Sequence, residues 1–188
     1  MILKQQYLGA SFDGLIFQNP TLPTIREAWN KTYSVNIIST QVFTHVFAPL
    51  LLKSTDPRLL FITSGMSSLS LLHTIATSPS ERLTALQPAP PAGWPKPPTP
   101  GVAAYAASKA AMNSQMLDWA KVFKNDGVKV WGISPGMLAT GLGGVPELLK
   151  KMGAEDPILG GRLVREVVEG KMDGEHGKVV GRNGVQAW

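Results

Sequence analysis

Two short apolar runs with a long helical pattern between them constrain the fold of this chain more than any other feature. The runs are LLFITS at 59–64 and VKVWGIS at 128–134. Short, continuous apolar runs of this kind are typical of buried strands. Residues 103–125 between them predict a helix that stops at Asp126-Gly127. Strands that alternate with helices of this length imply βαβ units and therefore a parallel sheet.

Further segments continue the alternation of strands and helices. The long helix that precedes LLFITS is expected to begin at a capping box, Thr24-Ile-Arg-Glu27, in which Thr24 caps the helix and Glu27 reaches back. The chain therefore predicts one α/β domain over residues 1–188, with a mainly parallel sheet. The remaining predicted elements are strands at 12–19 and 177–181 and helices from Thr24 to about Lys53, at 146–152 and at 157–170.

Residues 79–100 differ in kind from the rest of the chain, since they hold eight of its fifteen prolines. Proline lacks a backbone N–H and breaks helices, so this segment predicts an extended loop with polyproline character. We interpret it as a proline-rich surface insertion between two core elements, because long loops are tolerated thermodynamically. A PxxP segment that binds a partner is the alternative.

Composition excludes several classes of function. The chain has no cysteine, which excludes disulfides and thiolate metal sites, and we expect a cytoplasmic protein. The first residues lack the apolar stretch of a secretion signal, and no segment is expected to reach the roughly 18 to 20 apolar residues of a membrane span. The net charge of +5 is scattered along the chain without a basic stripe, so we expect no nucleic-acid partner.

The residues that indicate chemistry lie in the run AYAASKA at 104–110. Tyr105 and Lys109 are one helical turn apart and project the same way. A nearby ammonium favours the phenolate, so we expect Lys109 to lower the pKa of Tyr105 toward a value useful for proton transfer. Ser64 ends a predicted parallel strand, where α/β sheets place groups that contact ligands. Asn36, an amide in an apolar stretch of helix, could hold a water for a proton relay.

Other catalytic arrangements have no good candidates in this sequence. The three histidines, His45, His73 and His176, lie in unrelated segments, so no Ser-His-Asp triad is indicated. No spacing of His, Asp or Glu predicts a metal site, and we expect no metal. The glycine-rich run TGLGG at 140–144 follows a strand without the fixed spacing of a dinucleotide fingerprint, and we interpret it as a flexible substrate loop.

The ordered set of motifs resembles the short-chain dehydrogenase/reductase family. A lone YxxxK motif is a weak signal, but here it is followed by a strand and a Pro-Gly loop, and the resemblance covers about residues 12 to 181. The resemblance implies a truncated Rossmann-like fold of three layers. The matching pieces, in chain order, are Val35-Asn36, Ile62-Thr63-Ser64, Tyr105-Ala-Ala-Ser-Lys109 and Ser134-Pro135-Gly136 with Thr140.

Roles for these residues follow from the resemblance. It implies that Tyr105 is the general acid/base, and that Lys109 lowers its pKa and holds the nicotinamide ribose of NAD(P)(H). It implies that Ser64 orients the substrate carbonyl and that Asn36 completes a proton relay. The residues that it places around the nicotinamide are Pro135, Gly136 and Thr140.

A substrate loop is expected from Met137 to about Asp156. Its apolar side chains predict a small apolar carbonyl or hydroxyl compound as the substrate. The side chains expected to contact that substrate are Met137, Leu138, Leu142 and Val145.

The sequence departs from the family in its amino-terminal half. Family members carry a TGxxxGxG turn and further βα units, about eighty residues that bind the adenosine diphosphate part of the cofactor through backbone N–H groups. No such turn occurs here, and Phe17-Gln18-Asn19-Pro20 stands where the family has Asn-Asn-Ala-Gly. The expectation is a chain with an intact catalytic half and an incomplete dinucleotide site.

Three interpretations of function stay open at this point. The chain is an oxidoreductase whose dinucleotide half comes from a partner or from sequence missing here. Or it is a cofactor-independent isomerase, dehydratase or cyclase in which Tyr105 and Lys109 transfer protons alone, since fold does not fix function. Or it is a non-catalytic interaction protein whose working surface is the proline-rich loop.

The amino-terminal strand leads to an expectation about assembly. In the family's strand order the missing strands lie beside residues 12–17, so this strand becomes a sheet edge. An open apolar edge invites aggregation. We therefore expect residues 1–8, MILKQQYL, or a second subunit of a homo-oligomer, or both, to cover it.

Overall fold

The computed structural model describes residues 22–77, 90–96, 103–142 and 146–188. The predicted strand at 12–19 and most of the proline-rich segment lie outside these ranges. The strands are β1 Arg58–Ile62, β2 Lys129–Ser134, β3 Val179–Gly181 and β4 Gly184–Val185. The helices are α1 Leu22–Tyr33, α2 Thr40–Leu51, α3 Leu69–Thr77, α4 Ala103–Val122, α5 Pro146–Lys151 and α6 Ile158–Val168.

The described strands form one sheet in the order β1-β2-β3-β4. β1 pairs with β2 in parallel, with Leu60 opposite Trp131, and β2 pairs with β3 in parallel, with Ile133 opposite Val180. Only β4 runs antiparallel, and it pairs with β3. The predicted α/β fold with a mainly parallel sheet is therefore confirmed.

Helices cover both faces of the sheet because the strands alternate two apolar sets of side chains. On one face, Leu59, Phe61 and Val130 pack with Met112 and Met116 of α4. On the opposite face, strand side chains pack against α6 in a second buried cluster. The strands contribute Trp131, Ile133 and Val180, and α6 contributes Leu163 and Val167. The sheet thus lies between two helical layers, as the predicted three-layer fold requires.

A continuous helical stretch precedes β1, with a π-helical segment at Ser34–Ser39 between α1 and α2. The prediction that Thr24 caps this stretch was wrong, because α1 begins at Leu22 and Thr24 lies in its first turn. Pro23 is tolerated there, since the first N–H groups of a helix have no intrahelical partner. Helix α3 was not predicted at all.

One described helix meets the length and hydropathy criteria of a membrane span. It runs Ile25–Leu51, 27 residues, and an 18-residue stretch of it has a mean hydropathy of 1.2, with 22% of that stretch buried. No helix of this length and mean hydropathy was expected; it forms because the π-helical segment Ser34–Ser39 joins α1 and α2 into one continuous helix. A single such helix is weak support for a span, since core helices of soluble proteins meet the same criteria.

A cluster of ion pairs links the amino ends of β1 and β2. Arg58, which is buried, binds Asp56 and Asp173 and donates to the carbonyl of Val167. Lys129 binds the same two carboxylates. The pKa of Asp173 is held well below its usual range, first by the hydrogen bond from Arg58 and then by that from Lys129. This cluster lies at the edge of the sheet opposite the predicted site.

Candidate active site

The predicted site residues gather at the carboxyl ends of β1 and β2, because parallel strands end at the same edge of a sheet. Ser64 comes two residues after β1, and Ser134 is the last residue of β2. The two strand ends lie close together, since a Cβ on Gly65 would meet the Ser134 hydroxyl at 3.9 Å. Helix α4 packs against the same sheet and supplies Tyr105 and Lys109.

Ser64 and Tyr105 are brought into direct contact. Their side chains are hydrogen-bonded to each other, although they are 41 positions apart in the chain. The Ser64 hydroxyl also accepts a hydrogen bond of 3.2 Å from the N–H of Met66, which fixes its rotamer at the start of a short 3₁₀ turn. Two hydroxyl groups therefore converge at one point, as a site that binds a substrate oxygen requires.

Lys109 lies beneath Tyr105 and is almost completely buried, with 1% of its surface exposed. Its Nζ donates to the carbonyl of Ile62 at 2.8 Å and lies 5.7 Å from the centroid of the Tyr105 ring. Burial lowers the pKa of Lys109 to about 8, because desolvation disfavours the ammonium. At neutral pH the Lys109 side chain is still mainly charged. Its stabilisation of negative charge on Tyr105 stays a prediction.

The structure corrects the expected direction of the Tyr105 pKa. Burial raises the pKa of Tyr105 above its ordinary value, and the hydrogen bond with Ser64 offsets only part of that rise. Lys109 does not reverse it, because the ammonium is directed at the Ile62 carbonyl. Tyr105 is therefore a neutral phenol at neutral pH, which suits a proton donor better than a base.

Asn36 lies in the π-helical segment and faces α4. Its Nδ2 donates to the Ser108 hydroxyl at 2.9 Å, and Ser108 in turn donates to the carbonyl of Tyr105 at 2.8 Å. Asn36 is thus tied to the residue that precedes Lys109. Single π-helical turns are frequent at functional sites because they displace backbone groups from the α-helical pattern. The relay role of Asn36 stays a prediction.

The loop after β2 carries the residues expected around a nicotinamide. Gly136 has a φ of 91°, a backbone conformation that favours glycine, and the Arg182 guanidinium lies against it. Thr140 is partly buried, and its hydroxyl accepts from the N–H of Leu142 at 3.2 Å. The loop is held in place by backbone hydrogen bonds between Met137, Ala139 and Glu155. Pro135 leads into this loop and is partly buried.

The side chains predicted to contact a substrate differ in their surroundings. Met137 is exposed and Leu142 is partly buried, so both can face a ligand. Leu138 instead packs onto α6, since its Cδ1 would be 2.6 Å from a Cβ on Gly160. Val145 lies outside the described residues. Leu138 therefore contributes to the packing of the loop, and its contact with a substrate stays a prediction.

A buried polar network beside the site was missed in the sequence. Asn113 donates to Ser67 at 2.9 Å and accepts from Thr63 at 2.7 Å, while Ser67 donates to the carbonyl of Ser64 at 2.6 Å. Asn113 follows Lys109 by one more helical turn, so Tyr105, Lys109 and Asn113 form one polar row on an alanine-rich helix. The spacing of this polar row in the sequence could have predicted the buried network.

Among the described residues, no group of three or more His, Cys, Asp or Glu could hold a metal ion. The residues around Tyr105 fit the nicotinamide riboside end of a dinucleotide in part, because the buried Lys109 ammonium lies beside the Tyr105 ring. The space next to Gly136 is occupied by the Arg182 guanidinium. No TGxxxGxG turn occurs in the 188 residues to bind the pyrophosphate.

Comparisons with known proteins point to one family. Residues 93–145, which include Tyr105 and Lys109, match the family described as short chain dehydrogenase. The chain is 48% identical over 164 residues to the short-chain dehydrogenase/reductase tropE of Talaromyces stipitatus, covering 85% of this chain and 58% of that protein. It is also 48% identical over 174 residues to eupG of Phoma sp, named in the same way, covering 88% and 60%. The chain thus spans somewhat over half the length of these relatives.

Solved structures show the same fold. A short chain dehydrogenase from Shigella flexneri, crystallised in complex with NADP, superposes with a TM-score of 0.54 at 20% identity. The match covers 83% of this chain and 54% of that one. At this identity the likeness concerns the arrangement of helices and strands alone.

Proposed function

Since the chain belongs to the short-chain dehydrogenase/reductase family of oxidoreductases, we propose that it carries the acid/base half of a reductase or dehydrogenase. The substrate class is a small apolar compound with a carbonyl that is reduced or a hydroxyl that is oxidised. The observation that carries the proposal is the hydrogen bond between Ser64 and Tyr105, with the buried Lys109 beside the tyrosine ring.

The geometry supplies two hydrogen-bond donors to one substrate oxygen. In reduction, the carbonyl oxygen accepts from the hydroxyls of Ser64 and Tyr105, and negative charge develops on it as the carbonyl carbon is attacked. Tyr105, a neutral phenol in this site, transfers its proton to that oxygen. The phenolate that remains is stabilised by the Ser64 hydroxyl and by the Lys109 ammonium. General acid catalysis of this kind contributes about 10²- to 10⁴-fold to a rate.

A nicotinamide dinucleotide, when bound, would supply the hydride that reduces the carbonyl carbon. Lys109 and Tyr105 would hold its ribose, and the loop of Pro135, Gly136 and Thr140 would line its nicotinamide. Because the chain has no glycine-rich turn, we propose that the pyrophosphate and adenosine are bound by protein outside these 188 residues. The matched family, described as short chain dehydrogenase, supports NAD(P) as the cofactor class.

A first experiment tests whether the chain acts as a dehydrogenase alone. NADPH and NADH are titrated against the purified chain by nucleotide fluorescence. We expect affinity weaker than about 1 mM, since losing the pyrophosphate and adenine contacts costs several kcal/mol and each 1.4 kcal/mol is tenfold. Binding in the micromolar range would contradict the proposed division of the cofactor site.

A second experiment tests the role of Tyr105. NADPH oxidation is followed with 4-nitrobenzaldehyde at millimolar NADPH for the wild type, Tyr105→Phe and the matched control Tyr33→Phe on α1. We expect Tyr105→Phe to lose at least about 100-fold in kcat/KM, while Tyr33→Phe keeps its activity. Equal activity of Tyr105→Phe and wild type refutes proton transfer by this residue.

The cofactor-independent interpretation stays a second candidate, because Ser64, Tyr105 and Lys109 all lie within this chain whereas the glycine-rich turn does not. It predicts that the chain catalyses exchange of the α-protons of acetophenone in D₂O without any nucleotide, and that Tyr105→Phe abolishes the exchange. If no exchange proceeds above background, the cofactor-independent interpretation is refuted. The third interpretation, a non-catalytic interaction protein, predicts that neither the reduction nor the exchange proceeds.

We also propose that two copies of the chain associate. The strand at 12–17, which a second subunit was expected to cover, lies outside the described residues. The described helices give a separate reason, because an apolar row recurs every four residues and is exposed. Light scattering after size exclusion should give a dimer, and Val42→Lys should shift it to monomer; a wild-type monomer refutes the proposal. The row is Ile38, Val42, Val46 and Leu50.

A cytoplasmic location likewise stays a proposal. Fractionation of cells that express a tagged chain should recover it with the soluble proteins. Recovery in membranes that resist carbonate extraction would contradict this and would assign a membrane role to Ile25–Leu51.

A further inference from the structure

The last residues of the chain form a hairpin that returns toward the candidate site. β3 and β4 pair with Val180 opposite Val185, and the turn between them ends at Gly184, whose φ of 108° favours glycine. The N–H of Gln186 then donates to the carbonyl of Val179 at 2.8 Å. The hairpin thus fixes where the Gln186 side chain begins.

The Gln186 amide bridges two groups of the loop that carries Ser64. Its Nε2 donates to the carbonyl of Ser64 at 3.3 Å and to the hydroxyl of Ser67 at 3.1 Å. An amide nitrogen has two hydrogens, so both bonds can form at once. Gln186 is 122 residues from Ser64 in the chain, and its side chain is partly buried there.

Ser67 shows that this contact completes a network. A hydroxyl has one donor and two acceptor positions. Ser67 donates to the Ser64 carbonyl and accepts from Asn113 on α4 and from Gln186 in the hairpin, so every position is used. Ser67 is 2% exposed, so bulk water would not replace a hydrogen bond that its hydroxyl loses.

A second point of attachment holds the hairpin on the same loop. The carbonyl of Trp188 accepts from the N–H of Ser70 at 2.7 Å and from the Ser68 hydroxyl at 3.4 Å. The chain on both sides of Gln186 is therefore fixed, by β3 before it and by the start of α3 after it. Its amide is held rigidly against the Ser64 loop.

From this geometry we propose that Gln186 is a positioning residue for Ser64, acting through the Ser64 carbonyl and Ser67. The proposal rests on the proposed function, in which the Ser64 hydroxyl orients the substrate oxygen. The Ser64 hydroxyl reaches Tyr105 only while the backbone of Ser64 stays in place. A displacement of about 1 Å in such a site can cost about 100-fold in rate.

The test uses Gln186→Met, which keeps the length of the side chain and removes its N–H donors. The control is Gln41→Met on α2, whose amide oxygen accepts two side-chain hydrogen bonds, from Gln115 and Trp119 of α4, and makes no hydrogen bond to the Ser64 loop. We expect kcat for 4-nitrobenzaldehyde to fall about 10- to 100-fold in Gln186→Met with KM little changed, and Gln41→Met to keep its kcat.

A readout independent of turnover separates this proposal from the proposed function. The phenol titration of Tyr105 is measured by ultraviolet difference absorbance against Tyr105→Phe. In Gln186→Met we expect the pKa of Tyr105 to rise, because the displaced Ser64 no longer stabilises the phenolate. An unchanged titration overturns the positioning role, whether or not the chain turns over any substrate.

A second variant covers the case in which Gln186→Met does not fold. Ser67→Ala removes the hydroxyl that accepts from Gln186, and it should raise the pKa of Tyr105 in the same direction. If both single variants fold, the effect of the double variant should be smaller than the sum of the two, because both remove the hydrogen bond between Gln186 and Ser67 while each also removes its own bond to the Ser64 carbonyl. Fully additive effects would contradict the proposed path through Ser67.

Discussion

Lys109 offers a quantitative test, because a buried ammonium costs stability that a neutral side chain does not. Its pKa falls from 10.5 to about 8 in the folded chain. One pKa unit corresponds to about 1.4 kcal/mol, so keeping this group charged costs about 3 kcal/mol. The perturbation is Lys109→Met, which has a similar length and no charge. The variant also loses the hydrogen bond to the Ile62 carbonyl, worth about 1 kcal/mol.

The balance of these two effects depends on pH. Because the folded-state pKa of Lys109 lies below the unfolded one, the unfolded chain binds more protons between pH 8 and 10.5. Wild-type stability contributed by this group therefore rises with pH across that window. We expect Lys109→Met to be about 2 kcal/mol more stable than wild type at pH 7. It should lose that advantage by pH 10.5.

The assay is urea unfolding at pH 7, 8, 9 and 10 followed by tryptophan fluorescence, which reports on the buried Trp131 among others. Lys121→Met, at an exposed position of the same helix, is the matched control, and its pH profile is subtracted. A difference between wild type and Lys109→Met that stays constant with pH refutes the argument. Lys109→Met should also lose activity, because the buried ammonium that destabilises the fold is the group proposed to stabilise the Tyr105 phenolate.

Two other predictions concern positions away from the reacting hydroxyls. Asp173→Asn should lower the urea midpoint at pH 7 by weakening the pairing of the buried Arg58, and this loss should begin to shrink as the pH falls below about 4 while most of it remains at pH 3. The reason is that a carboxyl with a depressed pKa stabilises the fold fully above its unfolded pKa of 3.8 and loses that effect only as the pH falls toward its folded-state pKa, which is far below 3.8. Gly160→Ala should lower both melting temperature and kcat, because its Cβ would lie 2.6 Å from Leu138 Cδ1. Adding Leu138→Ala should restore part of the melting temperature, and no restoration would contradict this contact.

The sequence predicted most of the fold because apolar periodicity and turn residues are local signals. The runs at 59–64 and 128–134 became β1 and β2, and Gly127, with a φ of 68°, closes the helix before β2. Helix α3 escaped prediction because its polar residues obscure the apolar period, and its stability comes partly from contacts such as Ser70 with Trp188. Propensity alone does not contain such contacts.

Only part of the candidate site could be predicted from the sequence. Motif order placed Tyr105, Lys109 and Ser64 at one sheet edge, and the structure brings them together. The direction of the Tyr105 pKa could not be predicted, because it depends on how much solvent the folded chain removes. Gln186 could not be found either, since its hydrogen bond to Ser64 spans 122 residues and no motif contains both.

Titration of Tyr105 in wild type and in Ser64→Ala tests directly whether the hydroxyls of Ser64 and Tyr105 share one site. ¹³Cζ-labelled tyrosine is followed by NMR, with Tyr105→Phe to assign the resonance, so neither a substrate nor a cofactor is needed. Our account requires the pKa of Tyr105 to lie above its ordinary value in wild type and to rise further in Ser64→Ala, since the serine hydroxyl stabilises the phenolate. A titration that is the same in both proteins would show that the two hydroxyls do not share one site.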